Sequence, residues 1–326
     1  MCRFEAKRKL AKAKEGGHSK AAMDRIVDQL EDCISRGLTP KLKGSNDEMK
    51  FESRIRSTLS ATLENFTCSG DIEESTPDVD LREWTNAKDK DHVSRRVHVK
   101  FDRPATQIHV VENFASAEEC KAMEENVADK LGRATTEDGK GGAEVSKNRK
   151  AMQAYIEPDW SQEVNGDPIL RLNRRIFDYT NHVLGLNISV DGQEPLMSIQ
   201  YFGRGPSDLE PDRYTPHCDG KCEGDPLIHA SRMATMVIYC TVPKRGGHTN
   251  FQSAGVSIKP KEGSGIFFSY IDPTNNITDS GFSRHSGCPV YEGKRSSCGQ
   301  IMQQVCCTAT GSRTHCQSSP RCPYFR

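Results

Sequence analysis

From Glu194 onward the chain breaks into short runs of β-branched and aromatic residues, LMSIQYFG, RMATMVIYCTV, HTNFQ, GVSIKP and GSGIFFSYI, divided by Gly and Pro. Each run is strand-length and each stop is a turn residue, so the pattern predicts many short strands rather than helices. Strands at such close spacing must bury their faces and hide their edges, which points to a sandwich or a barrel. Upstream, RRVHVKF and TQIHVVENF read as two more strands, so a folded domain is expected to begin near residue 95.

Two helices are predicted between those blocks. ASAEECKAMEENVADKLG opens on a Ser116 cap with Glu118 and Glu119 in its first turn and closes at Gly132. DPILRLNRRIFDYTNHVLG sets Ile169, Leu172, Ile176, Tyr179 and Val183 on one face and stops at Gly185, as suits a helix braced against a sheet. Residues 133–150, rich in Gly, Lys and Thr without an apolar period, are expected to form an exposed loop beside a site. The expected organisation is a partly helical extension over 1–95, a domain over 96–296 and a divergent Cys-rich tail over 297–326.

Charge narrows the partners. Lys and Arg total 45 against 45 Asp and Glu, with no basic cluster, so nucleic acid is not an expected partner. No window approaches eighteen consecutive apolar residues, and no membrane span is expected. The opening MCRFEAKRKLAKAKEGG is charged where a secretory leader would be apolar, which predicts either a cytoplasmic protein or a start lying further upstream. Thirteen Cys, an odd number, lean the other way, toward an oxidising compartment. Sequons at Asn65, Asn187 and Asn276 add little to that.

The chemistry concentrates in two segments. In Tyr214-Thr-Pro-His217-Cys-Asp219-Gly a His and a carboxylate stand two apart, on the same face if the backbone is extended. Alone that pair is also what a surface turn would show, since about one His-x-Asp is expected by chance at this composition. Sixty-eight residues after His217 comes Gly281-Phe-Ser-Arg-His285-Ser-Gly-Cys-Pro-Val, with His285 just ahead of a strand-like CPVYEG. Two imidazoles and one carboxylate on adjacent strands make a facial triad that leaves about three positions open on an octahedral ion, which suits Fe(II) and O2. Zinc prefers a closed tetrahedron or one open position, and neither segment offers the general base a zinc hydrolase needs.

In that order, TQIHVVENFASAEECKAME, LRLNRRIFDYTNHVLG, SIQYFGRG, YTPHCDG, RMATMVIYCTVPKRGGHTNF, VSIKPKEGSGIFF and SRHSGCPVYEGKR resemble the successive motifs of one family. Residues 105–295 are similar to the catalytic domain of the prolyl 4-hydroxylase family of Fe(II)- and 2-oxoglutarate-dependent dioxygenases. The resemblance implies an α+β fold, a double-stranded β-helix (jelly-roll) core braced by N-terminal helices. It implies His217, Asp219 and His285 as iron ligands, and Tyr201 against 2-oxoglutarate. Thr249, together with Thr235 and Tyr239, would line the same pocket, and Tyr214 would face a peptide substrate. Thr235 and Tyr239 equally suit ordinary sheet packing. The family's cation for the far carboxylate of 2-oxoglutarate falls at Arg295, with Lys294 beside it. Strand alternation lets only one of the two point inward, and the choice stays open.

The implied reaction hydroxylates a proline-containing peptide with O2 and 2-oxoglutarate, gives succinate and CO2, and uses ascorbate as reductant. The family also implies the endoplasmic reticulum or secretory pathway, against which stands the absent leader. One departure favours a different outcome. After Arg295 the family continues through an aromatic-rich strand, whereas this chain reads SSCGQIMQQVCCTATGSRTHCQSSPRCPYFR. The alternative is therefore a catalytically impaired, iron-binding interaction module. Cys306, Cys307, His315, Cys316 and Cys322 match no paired CxxC zinc spacing, and Cys218 and Cys222 form either a local bridge or two free thiols.

Overall fold

The computed structural model describes residues 74–86, 92–137, 143–188, 192–205, 207–227 and 231–303, with isolated positions between 48 and 69. The chain divides into two units, Met1–Arg54 and Ile55–Arg326. All elements below belong to the second.

The first stretch holds β1 (Asp80–Thr85), β2 (Ser94–Asp102) and β3 (Gln107–Val111), then α1 (Ala117–Val127), β4 (Gly132–Arg133), a small hairpin of β5 (Thr135–Glu137) and β6 (Ala143–Val145), β7 (Met152–Ile156) and α2 (Pro168–Leu184). The second holds β8 (Leu196–Arg204), β9 (Tyr214–His217), β10 (Arg232–Thr241), β11 (Arg245–Gly246), β12 (Thr249–Phe251) and β13 (Val256–Ile258). After these come β14 (Gly265–Ser269), β15 (Ile271–Asp272), β16 (Ile277–Thr278), β17 (His285–Gly287) and β18 (Val290–Gln303). A major sheet runs β1-β2-β3-β14-β10-β18-β8-β7-β4 and a minor sheet runs β13-β12-β17-β9. Through the second stretch the chain passes back and forth between the sheets, with β8, β10, β14 and β18 in the major sheet, β9, β12, β13 and β17 in the minor one, and β15 and β16 paired apart, which is the double-stranded β-helix expected from the sequence.

Side-chain alternation explains how one sheet serves two cores. On β10, Ala234, Met236, Ile238 and Cys240 point into the cluster shared with the helices, alongside Met123 and Val127 of α1 and Leu172 and Ile176 of α2. The intervening Tyr239 joins Phe251, Val256 and Ile258 of the minor sheet. β14 does the same, with Phe267 toward the helices and Ile266 and Phe268 toward the minor sheet. The helices thus cover one face and the site lies on the other.

Local signals set both helices. Ser116 and Glu119 form a reciprocal capping box on α1. Asp167 caps α2, Pro168 opens it and Gly185 closes it at φ 63°. The buried Glu119 also accepts from Arg175 (2.8 Å) and Arg171 (2.9 Å), joining α1 to α2. Disulfides join Cys120 to Cys240 and Cys68 to Cys288, and Cys218 to Cys222 as a local bridge rather than free thiols. Cys298 is free and buried.

Four boundaries differ from expectation. The domain starts earlier than residue 95, because β1 pairs with β2 from Asp80↔Val99 to Thr85↔Ser94 and buries Trp84. Lone alternation in DLREWT is hidden by its exposed, polar edge positions. At the other end, residues 297–303 are not tail: β18 pairs with β8 as far as Gly299 and with β10 as far as Gln303. Ser296, Ser297, Cys298 and Gly299 stand where aromatic residues were expected, and the ladder needs only their backbone. α1 ends at Val127, capped by Ala128, ahead of Gly132. Residues 133–150 carry short strands instead of one open loop. The tail cysteines after residue 303, and the extension before residue 48, lie outside the described residues.

Candidate active site

β9 and β17 are neighbours in the minor sheet, and their register makes His217 and His285 direct Cα partners. Cross-strand partners project from the same face, so the imidazoles meet, with ring centroids 4.3 Å apart. Asp219 completes the group: its Oδ1 is 3.2 Å from His217 Nε2 and its Oδ2 3.9 Å from His285 Nε2. Ligand atoms of the three all lie within 4.8 Å of one another, the one such His/Cys/Asp/Glu group among the described residues. The strand argument for Asp219 needs correction, because β9 ends at His217 and the turn after it delivers the carboxylate.

Both imidazoles have their tautomer chosen by the backbone. His217 Nδ1–H donates to Thr215 O (2.9 Å) and His285 Nδ1–H to Ser283 O (3.0 Å), leaving each Nε2 lone pair turned toward Asp219. Burial, reinforced by His217 and opposed by Asp219, pushes His285 down to about 4, so it is neutral near pH 7. Burial alone would raise the Asp219 carboxyl, but the two imidazoles and the Thr235 hydroxyl outweigh it and hold it well below the usual carboxylate range. A carboxylate between two imidazoles whose Nδ1–H groups are taken by backbone carbonyls is the donor set that a divalent transition ion takes. Phe268 packs on the His285 ring at 4.6 Å and Phe251 at 5.4 Å, drying that side.

The triad opens into a cavity that Tyr201, Thr249 and Arg295 also line. Arg295 is 5% exposed and stands opposite Tyr201 in the β18–β8 register. Its guanidinium donates to Gly247 O (3.1 Å), and more loosely to the Tyr239 and Thr249 hydroxyls (both 3.4 Å), and stands 5.3 Å from the Tyr201 ring. Its Nε is buried without a partner. Lys294, next along the strand, faces the other way and pairs with Glu124 of α1 at 3.6 Å. Alternation has therefore turned Arg295 inward and Lys294 outward.

The remaining expected residues divide. Tyr201, Thr249 and Thr235 line the cavity. Thr235, however, donates its hydroxyl to Asp219 Oδ2 at 2.9 Å. Tyr239 is fully buried behind the cavity, its hydroxyl bonded to Thr249. Tyr214 stacks on His217 with centroids 3.5 Å apart. Several contributors were missed. Arg149, from the stretch read as loop, stands 4.0 Å over the Tyr214 ring and lines the mouth. Arg232 binds Glu194 through two contacts (2.6 and 3.0 Å) and reaches Asp219 O (3.0 Å). Asp279, 1% exposed, gathers the turn leading to His285. Arg149 and Arg232 act on partners distant in the chain, and Asp279 works on the backbone of its own turn.

Residues 206–302, which hold the triad and Arg295, match the family model of the 2OG-Fe(II) oxygenase superfamily. Over these residues the chain is similar to that superfamily. It is similar to prolyl 4-hydroxylase subunit alpha-1 of Gallus gallus, 28% identical over 188 residues, covering 56% of this chain and 33% of the relative. It is also similar to subunit alpha-2 of Caenorhabditis elegans, 28% identical over 204 residues, covering 60% and 33%. The chain thus spans about a third of the length of these curated relatives. A viral collagen prolyl hydroxylase from Paramecium Bursaria Chlorella virus-1, solved with 2-oxoglutarate, is 23% identical with a TM-score of 0.45, covering 61% of this chain and 96% of that chain. Among the described residues no helix is long and apolar enough to cross a membrane.

Proposed function

We propose that this chain hydroxylates peptidyl proline, with Fe(II) held by His217, Asp219 and His285 and 2-oxoglutarate as cosubstrate. The observation that carries the reading is the convergence of two Nε2 atoms and one carboxylate on a cavity that a buried, incompletely paired cation, Arg295, also lines. When bound, the iron and the keto acid supply an oxidant able to convert an unactivated C–H bond to C–OH, with succinate and CO2 as by-products. The chain's own residues bind and orient. Arg295 receives the far carboxylate of 2-oxoglutarate in a charge-assisted contact, with the Tyr201 and Thr249 hydroxyls beside it. Thr235 holds the Asp219 carboxylate in orientation, and Phe251 and Phe268 keep water from His285.

The peptide would enter past Tyr214 and Arg149, where a proline-rich segment in extended polyproline II form loses little freedom on binding. Similarity to curated prolyl 4-hydroxylase alpha subunits supports proline as the target residue. Ascorbate as reductant belongs to the same proposal. The test is 2-oxoglutarate-dependent succinate release with a panel of proline-rich peptides. Activity should vanish in His217→Ala and Asp219→Ala, and release unchanged in either variant would overturn the assignment. Iron binding with no CO2 release on any peptide would favour a non-catalytic interaction module instead.

A further inference from the structure

The carboxylate of the triad stands on the least supported backbone of the three. His217 and His285 sit in paired strands, whereas the ladder stops at His217 and Asp219 falls in the turn that follows. Within that turn Cys218, which separates the His from the Asp, is bonded to Cys222, closing a ring that contains Asp219, Gly220 and Lys221. His217 and Asp219 line the cavity, and Cys218 between them does not. The other two bridges span 120 and 220 residues and tie distant elements together, but this one spans four. A loop so short removes little entropy from the unfolded chain, so its effect is local.

Beyond the disulfide, the turn is held by Arg232 donating to Asp219 O and by Gly220 lying against the Tyr270 ring. A Cβ at Gly220 would come within 2.3 Å of that ring, so the turn lies tight against Tyr270 and takes no side chain there. The disulfide adds a covalent restraint across the same turn.

We infer that the Cys218–Cys222 disulfide is a positioning element for Asp219, and that a dithiol acting on it lowers the metal affinity of the triad. The step transfers two electrons and two protons: the S–S bond breaks to two thiols, and the dithiol becomes a cyclic disulfide. Cys222 is buried and Cys218 half-buried, so attack goes through Cys218. The metal site thereby responds to the redox state of its surroundings. The inference rests on the proposed metal-binding role of the triad.

The experiment titrates the full chain anaerobically with Fe(II) and with Co(II), reading Kd by calorimetry and the visible Co(II) band as a signature of the ligand set. The expected result for Cys218→Ser combined with Cys222→Ser is a Kd weakened by about tenfold or more and an altered Co(II) band, at a metal-free Tm within about 2 °C of wild type. Wild type treated with a dithiol should behave the same and recover on reoxidation, which gives the comparison without any substitution. Cys120→Ser with Cys240→Ser should lower Tm and leave the Co(II) Kd unchanged. An unchanged Kd and band in the first pair, or a loss of affinity that merely follows a loss of Tm, would overturn the inference. Failure of wild type itself to bind Co(II) would overturn the triad assignment, and this inference with it.

Discussion

His217 and His285 are direct cross-strand partners, with no residue of offset between them. That relationship makes the site a consequence of sheet register. A slip of one residue in β9 against β17 would turn one imidazole to the opposite face. The turn residues that fix this register therefore control metal binding as strictly as the ligands do.

Asp279 is the chief of these. Its carboxylate accepts from Thr106 Oγ1, from the backbone N–H of Gly281, Phe282 and Ser283, and from Ser283 Oγ, and Ser283 O in turn receives His285 Nδ1–H. Asp279→Ala leaves several buried donors unpaired, and at about 1–3 kcal/mol for each such group the loss should reach roughly 3 kcal/mol or more. Urea unfolding measures it. Metal affinity should fall as well, because the His285 ring loses its orienting carbonyl. A loss below about 1 kcal/mol would show that the turn holds itself.

The same alternation turns Arg295, and not Lys294, into the cavity proposed for 2-oxoglutarate. Arg295→Ala should raise the KM for 2-oxoglutarate at least about tenfold, since a charge-assisted hydrogen bond contributes about 1.5–3 kcal/mol. Lys294→Ala removes a half-exposed pairing with Glu124 and should change KM less than about twofold. Steady-state kinetics at saturating peptide separates them, and equal small effects would remove both from the pocket.

Much of this was legible in the sequence because period-2 apolar runs and Gly stops are local signals: β2, β3, β8, β10 and β14 lie where the runs lie, and α2 ends on Gly185. The triad residues were legible as types in an ordered set of motifs. What decides their geometry was not. Cys68 and Cys288 meet across 220 residues, Arg149 reaches Tyr214 from a stretch without periodicity, and Asp279 does its work through backbone amides. Nor could residue type choose between Lys294 and Arg295; β18 had to be paired with β8 before the strand faces were defined. The polar end of β18 misled for the same reason, since a central strand is held by its backbone partners.

Thr235 tests whether the carboxylate needs its hydroxyl support. Thr235→Val keeps the shape and removes the donor to Asp219 Oδ2. Outer partners of metal ligands typically contribute about 10–100-fold in affinity, so the Kd for Fe(II) or Co(II) should rise by roughly tenfold while the KM for 2-oxoglutarate moves little. A KM effect without a Kd effect would instead make Thr235 a cosubstrate contact.

Acid should destabilise the fold through two histidines that lie outside the triad. Burial pushes His109 down to about 4, with Arg82 adding to it and Asp102 opposing, and its Nδ1 pairs with the Tyr179 hydroxyl. Burial, with Lys259 and Arg295 adding, pushes His248 down to about 4 beside Ser257. In the unfolded chain both would titrate near 6.5. As pH falls below 6.5 the unfolded state takes up protons that the native state refuses, so stability is lost between 6.5 and 4 and levels off below, where both states are protonated. Each residue should cost roughly 3 kcal/mol over that window, at about 1.4 kcal/mol per pKa unit. Urea unfolding of the metal-free protein at a series of pH values measures the slope. His109→Phe and His248→Asn should each flatten it by about one proton's worth, and a slope unchanged in both would mean that these rings are already charged in the native state.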